Sequence, residues 1–371
     1  MIKPEQNSLL GMSFQELRGL VESLGEAPFR ADQLFQSVYS QRLGDVSEFS
    51  TLSKSLRSSL LKHGLLVGVP KIGDRFRSSD GTVRYLMTLQ DGERVETVWM
   101  PDGDDGEAGD GSSAGDPERQ DGAVKAYGRA TICISSQVGC AVNCGFCLTA
   151  LLGLQRNLTA GEIVGQVIAV LNDHSVDLDR ERINLVFMGQ GEPLLNFPNF
   201  IKAVRLLKEG VGISESRMTV STSGIVPRIH DLGQEEVRPK LAISLNAPDD
   251  KIREGIMPLN RKWNIQAILE AAKAFPLRAR EKLTFEYVLL KNVNDQPQHA
   301  DKVANLVRDI RCKVNLIAWN PGPEVPYEMP SPESVLSFQS ALIRRGIPAF
   351  IRRPRGRDIY AACGQLKRSV I

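Results

Sequence analysis

Apolar residues recur at helical spacing near the start of the chain. Segments 14–25 and 30–42 each show one apolar face with the period of an α-helix, and Ser13 with Glu16 forms a capping-box pattern before the first of them. These patterns predict a small helical accessory domain over residues 1–65.

The pattern changes to short stretches rich in β-branched residues between residues 66 and 100. The segments VRYLMTLQ (83–90) and ERVETVWM (93–100) are typical of strands. They predict a β-rich connector over residues 66–100.

Strand-like and helix-like segments then alternate from residue 127 to residue 371. About six such units predict an α/β core with a parallel sheet and crossover helices, in a partial or complete barrel whose chemistry lies at the C-terminal ends of the strands. The strand-like segments are RATICISS, RINLVFMG, RMTVSTSG, KLAISLNAP, LTFEYVLL and KVNLIAWNP.

Composition places the chain among globular proteins. It has 371 residues, 42% of them hydrophobic, which is enough for one large domain and an accessory one. Its first residues lack the pattern of a signal peptide, and no apolar run reaches the roughly 18 residues of a membrane span. We therefore expect a cytoplasmic protein with no membrane partner, whose clustered cysteines bind metal or catalyse rather than form structural disulfides.

Charge is unevenly distributed although the net charge is only +2. Residues 101–122 contain eight acids, one base and six glycines, which predicts an acidic disordered insertion over residues 101–126. Residues 344–371 contain eight basic residues and one acid. Such a segment is typical of phosphate binding, and a solvated basic surface is the alternative.

Three of the six cysteines lie in the loop after the first strand of the α/β core, as Cys140, Cys144 and Cys147. Three thiolates can hold three irons of a [4Fe-4S] cluster and leave the fourth iron open. None of the four histidines lies at metal-ligand spacing from these cysteines, so a zinc site has little support. Buried cysteines without a function are a further alternative.

Several motifs together resemble the RlmN/Cfr family of radical S-adenosylmethionine (SAM) RNA adenine methyltransferases. The resemblance covers about residues 8–368, with only the acidic loop clearly extra. It implies a partial (β/α)6-type radical SAM barrel. The motifs are, in order, SSQVGCAVNCGFCLTA, FMGQGEPLLN, STSG, NLIAWNP and RGRDIYAACGQL.

The resemblance implies a catalytic role for three residues outside the cysteine trio. In the family, one SAM methylates the cysteine that corresponds to Cys363, and a second SAM, cleaved at the cluster, gives a radical that takes hydrogen from this S-methyl group. The resulting carbon radical adds to adenine. Cys133 then forms a transient disulfide with Cys363, and Glu96 is the proton acceptor. Taken alone, Cys133 is typical of a packing cysteine and Glu96 of a solvent-facing strand residue.

The resemblance also implies which residues bind SAM. VFMGQGEP matches a dinucleotide-binding glycine motif only in part, because Pro193 blocks the helix that would receive a pyrophosphate. Many family members have His at the position of Asn246, and Asn cannot titrate there. The implied SAM contacts are Gly191, Glu192, Ser221, Ser244, Leu245, Asn246 and Asn320.

Family substrates are an adenosine in 23S rRNA and the adenosine next to the tRNA anticodon, both methylated at C2. The implied cofactors are one [4Fe-4S] cluster per chain and two SAM per turnover, with an external electron donor of the flavodoxin type, and we expect a monomer. The alternatives are Cfr-type C8 methylation, which confers antibiotic resistance, and a non-catalytic iron–sulfur protein that binds RNA or transfers electrons. A non-catalytic iron–sulfur protein would not require the two further cysteines Cys133 and Cys363. Cys312 has no role in the family and we expect it to be structural.

Overall fold

The computed structural model describes residues 7–101 and 128–367. The predicted acidic insertion over residues 101–126 lies outside the described residues except for Pro101, and so does Arg368 of the basic segment.

The predicted helices of the N-terminal region are present. The capping box before the first helix is confirmed, because Ser13 Oγ accepts a hydrogen bond from the Glu16 amide at 3.3 Å and the Glu16 carboxylate accepts one from the Ser13 amide at 2.6 Å. Leu17 and Val21 of this helix are buried in the core. The described α-helices here are α1 (Phe14–Ser23), α2 (Arg30–Phe35) and α3 (Lys54–Lys62).

The connector contributes three antiparallel strands, β1 (Lys71–Arg77), β2 (Val83–Thr88) and β3 (Arg94–Pro101). β3 continues into the core sheet, since it pairs antiparallel with the first core strand and places Val98 opposite Cys133. The connector and the core therefore share one ten-stranded sheet in the described residues.

The core alternates strands and helices as predicted. Its strands are β4 (Arg129–Cys133), β5 (Gln137–Gly139), β6 (Leu154–Asn157), β7 (Arg182–Phe187), β8 (Met218–Thr222), β9 (Lys240–Ser244), β10 (Leu283–Leu289), β11 (Cys312–Ala318) and β12 (Ala349–Arg352). Its α-helices are α4 (Ala160–Asp173), α5 (Phe197–Leu206), α6 (Val226–Gln234), α7 (Asp250–Ile256), α8 (Ile265–Ala274), α9 (Pro297–Val307) and α10 (Pro332–Arg344).

The main sheet has the order β1-β2-β3-β4-β7-β8-β9-β10-β11-β12, and the strands from β4 to β12 in this order run parallel. The described sheet has two ends, at β1 and β12, so it forms a partial barrel rather than a closed one. It contains seven parallel strands, because the unpredicted strand β12 adds one to the six strand segments read from the sequence. β5 and β6 form a separate hairpin.

Apolar side chains from the sheet and helices pack into one large core. Leu185, Val220 and Leu316 of the parallel strands are buried in it together with Ile163 and Val167 of α4. Each such side chain stabilises the fold by about 1.5–3 kcal/mol. No α-helix in the described part of the chain is long and apolar enough to cross a membrane.

Candidate active site

The loop with the three cysteines begins where the hairpin strand β5 ends. Gly139 has φ 82°, and a Cβ there would overlap the carbonyl oxygen of Gly153, so only glycine fits. The Cys140 amide donates to the same Gly153 carbonyl at 2.9 Å. Gly145 in the middle of the loop donates its amide to the Ile256 carbonyl, also at 2.9 Å. These bonds fix the loop against the hairpin and α7.

Cys140, Cys144 and Cys147 all line one cavity, which we call the cysteine cavity. Water-sized groups can reach about 160 Å³ of it. The predicted SAM contacts Gly191, Glu192, Ser221, Ser244 and Asn246 line the same cavity.

The pKa values of Cys140 and Cys144 depend on burial and on the neighbouring thiols. Burial, with a smaller contribution from a Cys147 thiolate, raises the pKa of Cys140 to about 12. Burial also raises the pKa of Cys144, with added effects of Cys147 and Cys140. Three neighbouring thiolates would therefore require bound positive charge. Among the described residues, no three His, Cys, Asp or Glu side chains are placed to hold a single metal ion. An iron–sulfur cluster instead takes one thiolate per iron, and this donor set fits three irons.

Glu192 is a buried carboxylate at the edge of the cysteine cavity. It accepts hydrogen bonds from the Ser223 amide and hydroxyl, each at 2.7 Å, and from the Leu194 amide at 3.1 Å. Burial raises its pKa, and the bonds from Ser223 oppose this shift. Gly191 before it has φ 95°, and a Cβ there would lie 2.5 Å from Gln137 Cβ. Glycine therefore allows the backbone to pass close to the cavity wall.

Glu286 on β10 is a cavity residue that the sequence did not reveal. One carboxylate oxygen accepts from Ser221 Oγ at 2.8 Å, and the other lies 3.5 Å from Arg352 Nη1. The only signal in the sequence is a lone acid within the apolar segment LTFEYVLL.

Asn246 follows β9 in a left-handed conformation with φ 57°. Its Oδ1 accepts from the Val288 amide at 2.8 Å, and its Nδ2 lies 3.2 Å from Met257 Sδ. Leu245 before it is fully buried and its amide donates to the Glu286 carbonyl at 3.0 Å. Leu245 is not among the described residues that line the cysteine cavity.

A second cavity, which we call the arginine cavity, is lined by Arg352, Arg353 and Arg355 together with Cys133. Asn320, predicted as a SAM contact, lines this cavity and is not among the described residues that line the cysteine cavity.

Cys363 lines both cavities. Its side chain is accessible, yet desolvation by the surrounding protein raises the pKa of its thiol, and Arg352 opposes this shift. Cys133, the last residue of β4, is buried against Ile359 and Ala361 of the C-terminal segment. Burial raises the pKa of Cys133, and the negative charge of a Cys363 thiolate raises it as well. The charge state of Cys363 therefore affects that of Cys133.

Two other predicted residues lie elsewhere. Glu96 on β3 is buried in an ion pair with Arg84, and it accepts a hydrogen bond from Gln190 Nε2 at 3.1 Å. It is not among the described residues that line either cavity, so its catalytic role stays a prediction. Cys312 is buried at the start of β11, with its sulfur 3.8 Å from the Val307 carbonyl.

Comparison with known proteins gives the family. Residues 134–303 match the radical SAM superfamily, and residues 7–65 match the ribosomal RNA large subunit methyltransferase N-terminal domain. A probable dual-specificity RNA methyltransferase RlmN from Koribacter versatilis is 60% identical over 349 residues, which cover 94% of this chain and 98% of the relative.

The chain belongs to the RlmN family.

Other RlmN proteins and a crystal structure agree. The dual-specificity RNA methyltransferase RlmN of Campylobacter jejuni is 41% identical over 353 residues, covering 94% of this chain and 96% of that protein. The crystal structure of a radical SAM methyltransferase from Sphaerobacter thermophilus is 38% identical with a TM-score of 0.86, and the match covers 98% of this chain and 99% of that one. The family resemblance and the radical SAM fold predicted from the sequence are thereby confirmed.

Proposed function

We propose that this chain is a dual-specificity RNA methyltransferase that methylates C2 of an adenosine in 23S rRNA and C2 of the adenosine next to the anticodon in tRNAs. The position of Cys363 carries the proposal, because this residue lines both the cysteine cavity and the arginine cavity. A thiol in that position can receive a methyl group on one side and deliver it on the other. The names of the RlmN relatives support the choice of RNA as substrate.

The cysteine cavity is the cofactor site in this proposal. Cys140, Cys144 and Cys147 would hold one [4Fe-4S] cluster, and the polar groups around Glu192 and Ser221 would bind SAM, two molecules per turnover. When bound, the cluster supplies the electron with which SAM yields a radical strong enough to activate a methyl C–H bond.

Cys363 is the methyl carrier. Its thiolate is the nucleophilic form, and Arg352 in the arginine cavity favours that form against the effect of burial. The adenine would enter the arginine cavity unstacked from its neighbours, since a carbon inside a base stack cannot reach the sulfur. Arg353 and Arg355 also line this cavity. In the proposal their positive charge attracts the RNA phosphates.

Cys133 resolves the thioether between Cys363 and the RNA. In the proposal its thiolate attacks the sulfur of Cys363 and forms a transient disulfide. The bond between that sulfur and the carbon on the adenine breaks, and the carbon keeps the electron pair and takes up a proton to become the methyl group. Cytosolic thiols then reduce the disulfide. Arg352 lowers the pKa of Cys133 as well, against the effect of burial. Glu96 is proposed as the proton acceptor. Gln190, which donates to its carboxylate, lies between Gly189 and Gly191 of the cysteine cavity.

The proposal includes a cytoplasmic location, a monomeric enzyme and an external electron donor of the flavodoxin type. RNA substrates and reducible thiols both fit that compartment.

The test is anaerobic reconstitution with iron and sulfide, followed by incubation with SAM, a reductant, and 23S rRNA or tRNA fragments. Mass spectrometry should locate the new methyl group on adenine C2. Cys363→Ala should abolish methylation and keep the visible absorption of the cluster, whereas the matched control Cys312→Ala should retain methylation. A methyl group on C8, or methylation by Cys363→Ala, would overturn the proposal.

A further inference from the structure

The segment that carries Cys363 is mostly irregular. After β12 ends at Arg352, the described residues up to 367 contain one short 3₁₀ turn, Arg357–Ile359, as regular structure. The position of Cys363 is therefore set by contacts with other parts of the chain.

The turn between β1 and β2, residues 78–82, makes the first set of these contacts. Asp80 accepts a hydrogen bond from the Gly356 amide at 2.9 Å with one carboxylate oxygen, and from the Thr82 amide at 2.9 Å with the other. Ser78 Oγ donates to the Asp358 carboxylate at 2.6 Å. The contacts with Gly356 and Asp358 join positions about 280 residues apart in sequence.

Gly356 allows the close approach of the two segments. It has φ 58°, a left-handed conformation. A Cβ at this position would lie 2.8 Å from Thr82 Cγ2 and 2.7 Å from Ala361 Cβ, so a larger residue would push the segment away from the turn.

A second set of hydrogen bonds leads from this point to Cys363. Arg357 Nε and Nη2 each donate to Asn320 Oδ1 at 3.2 Å. Asn320 Nδ2 donates to the Cys363 carbonyl oxygen at 3.3 Å. On the other side of Cys363, the Gly364 carbonyl accepts from the Leu148 amide at 2.8 Å, next to Cys147.

We propose that the turn 78–82 is a clasp that positions Cys363 between the two cavities, and that Asp80 and Arg357 are positioning residues for methyl transfer. The inference rests on the proposed function. The clasp acts through the backbone of the segment from Gly356 to Cys363 and touches neither cofactor nor substrate in this role. It matters because the sulfur must meet groups in two cavities, and an error of about 1 Å in such a geometry can cost about 10²-fold in rate.

The test compares Asp80→Ala with Asp74→Ala, a control that removes an exposed carboxylate from β1 of the same hairpin. One readout is amide hydrogen exchange over residues 353–367, measured on the reconstituted enzyme without substrate. The other is the number of adenosines methylated per SAM cleaved. Asp80→Ala should speed amide exchange in this segment. It should also lower the methylation ratio by about tenfold, because a more mobile Cys363 is less often aligned with the reacting groups in the two cavities. Asp80→Asn has one acceptor oxygen in place of two, so it can keep the bond from Gly356 or the bond from Thr82 but not both. Its exchange rate and methylation ratio should lie between those of the wild type and Asp80→Ala.

Exchange in Asp80→Ala equal to that in Asp74→Ala would overturn the clasp. A changed exchange with an unchanged methylation ratio would overturn its positioning role. The exchange readout needs no RNA, so wild-type enzyme that methylates nothing would contradict the proposed function while the clasp is still decided by exchange.

Discussion

Asn320 holds Cys363 by a hydrogen bond from its side-chain amide to the Cys363 carbonyl oxygen, at 3.3 Å. The same side chain accepts from Arg357, so one amide joins Cys363 to the basic segment. The family resemblance predicts a SAM contact for Asn320, and the structure shows its contact with Cys363.

Asn320→Asp should slow RNA methylation by about tenfold. The substitution replaces the donor facing the Cys363 carbonyl with an acceptor, and the loss of one hydrogen bond of about 1–1.5 kcal/mol corresponds to roughly that factor. Single-turnover methylation measures the effect, and SAM affinity measured in parallel reports the predicted cofactor contact. A wild-type methylation rate together with a wild-type SAM affinity would show that Asn320 neither positions Cys363 nor binds SAM.

Gly139→Ala should impair cluster assembly. The new Cβ overlaps the Gly153 carbonyl, and the left-handed backbone alone costs about 1–2 kcal/mol for a non-glycine residue, so the loop that begins with Cys140 must move. Iron content and visible absorption after reconstitution should fall below the wild-type values. Gly19→Ala is the control, because a Cβ at this position in α1 meets nothing within 4 Å. Equal iron content in the two variants would show that the cysteine loop does not need glycine at position 139.

Asp173→Asn should destabilise the protein near neutral pH and have little effect in acid. The hydrogen bond from Arg75 holds the pKa of Asp173 below its usual 3.8, and a bond from the Tyr85 hydroxyl at 2.7 Å contributes. The carboxylate of Asp173 therefore binds a proton less readily in the folded state than in the unfolded state. Its stabilisation of the fold is fully present above pH 3.8 and is lost as the pH falls through the lower pKa of the folded state.

Urea unfolding of the wild type and Asp173→Asn at several pH values tests this sign. The variant should lose about 1–2 kcal/mol of unfolding free energy near pH 7, a modest value because Arg75 is partly exposed. The difference between the two proteins should shrink below about pH 4. A difference that stays constant with pH would mean that the charge of Asp173 is not its source.

Glu96→Gln separates the catalytic role of this residue from its packing role. Glutamine keeps an oxygen acceptor for Gln190 but cannot take up a proton. If Glu96 is the proton acceptor, single-turnover methylation should fall by about 10²-fold or more. Unchanged methylation together with a lower unfolding midpoint would assign Glu96 to the buried pair with Arg84 alone.

The sequence predicted the elements that have a strong local signal. The capping box at Ser13 and the alternation of strands and helices in the core are local patterns, and the structure confirms them. Strand β12 was missed because it is four residues long and ends among arginines, where no alternation can develop.

The site was predictable only where a motif marked it. The cysteine trio, in the loop after the hairpin strand β5, lines one cavity with the residues around Gly191, which follow the parallel strand β7. Glu286 and the clasp were not predictable, because a lone acid in a strand and a turn some 280 residues away in sequence carry no local sign of what they contact in three dimensions.

The most direct test of the methyl-carrier role of Cys363 uses Cys133→Ala. If Cys133 resolves a thioether between Cys363 and RNA, a covalent protein–RNA adduct should accumulate in Cys133→Ala after anaerobic incubation with SAM, a reductant and RNA. Mass spectrometry of the digested adduct should find the adenine joined through one carbon to the sulfur of Cys363. Release of methylated RNA at the wild-type rate without any adduct, or an adduct on another residue, would contradict the account.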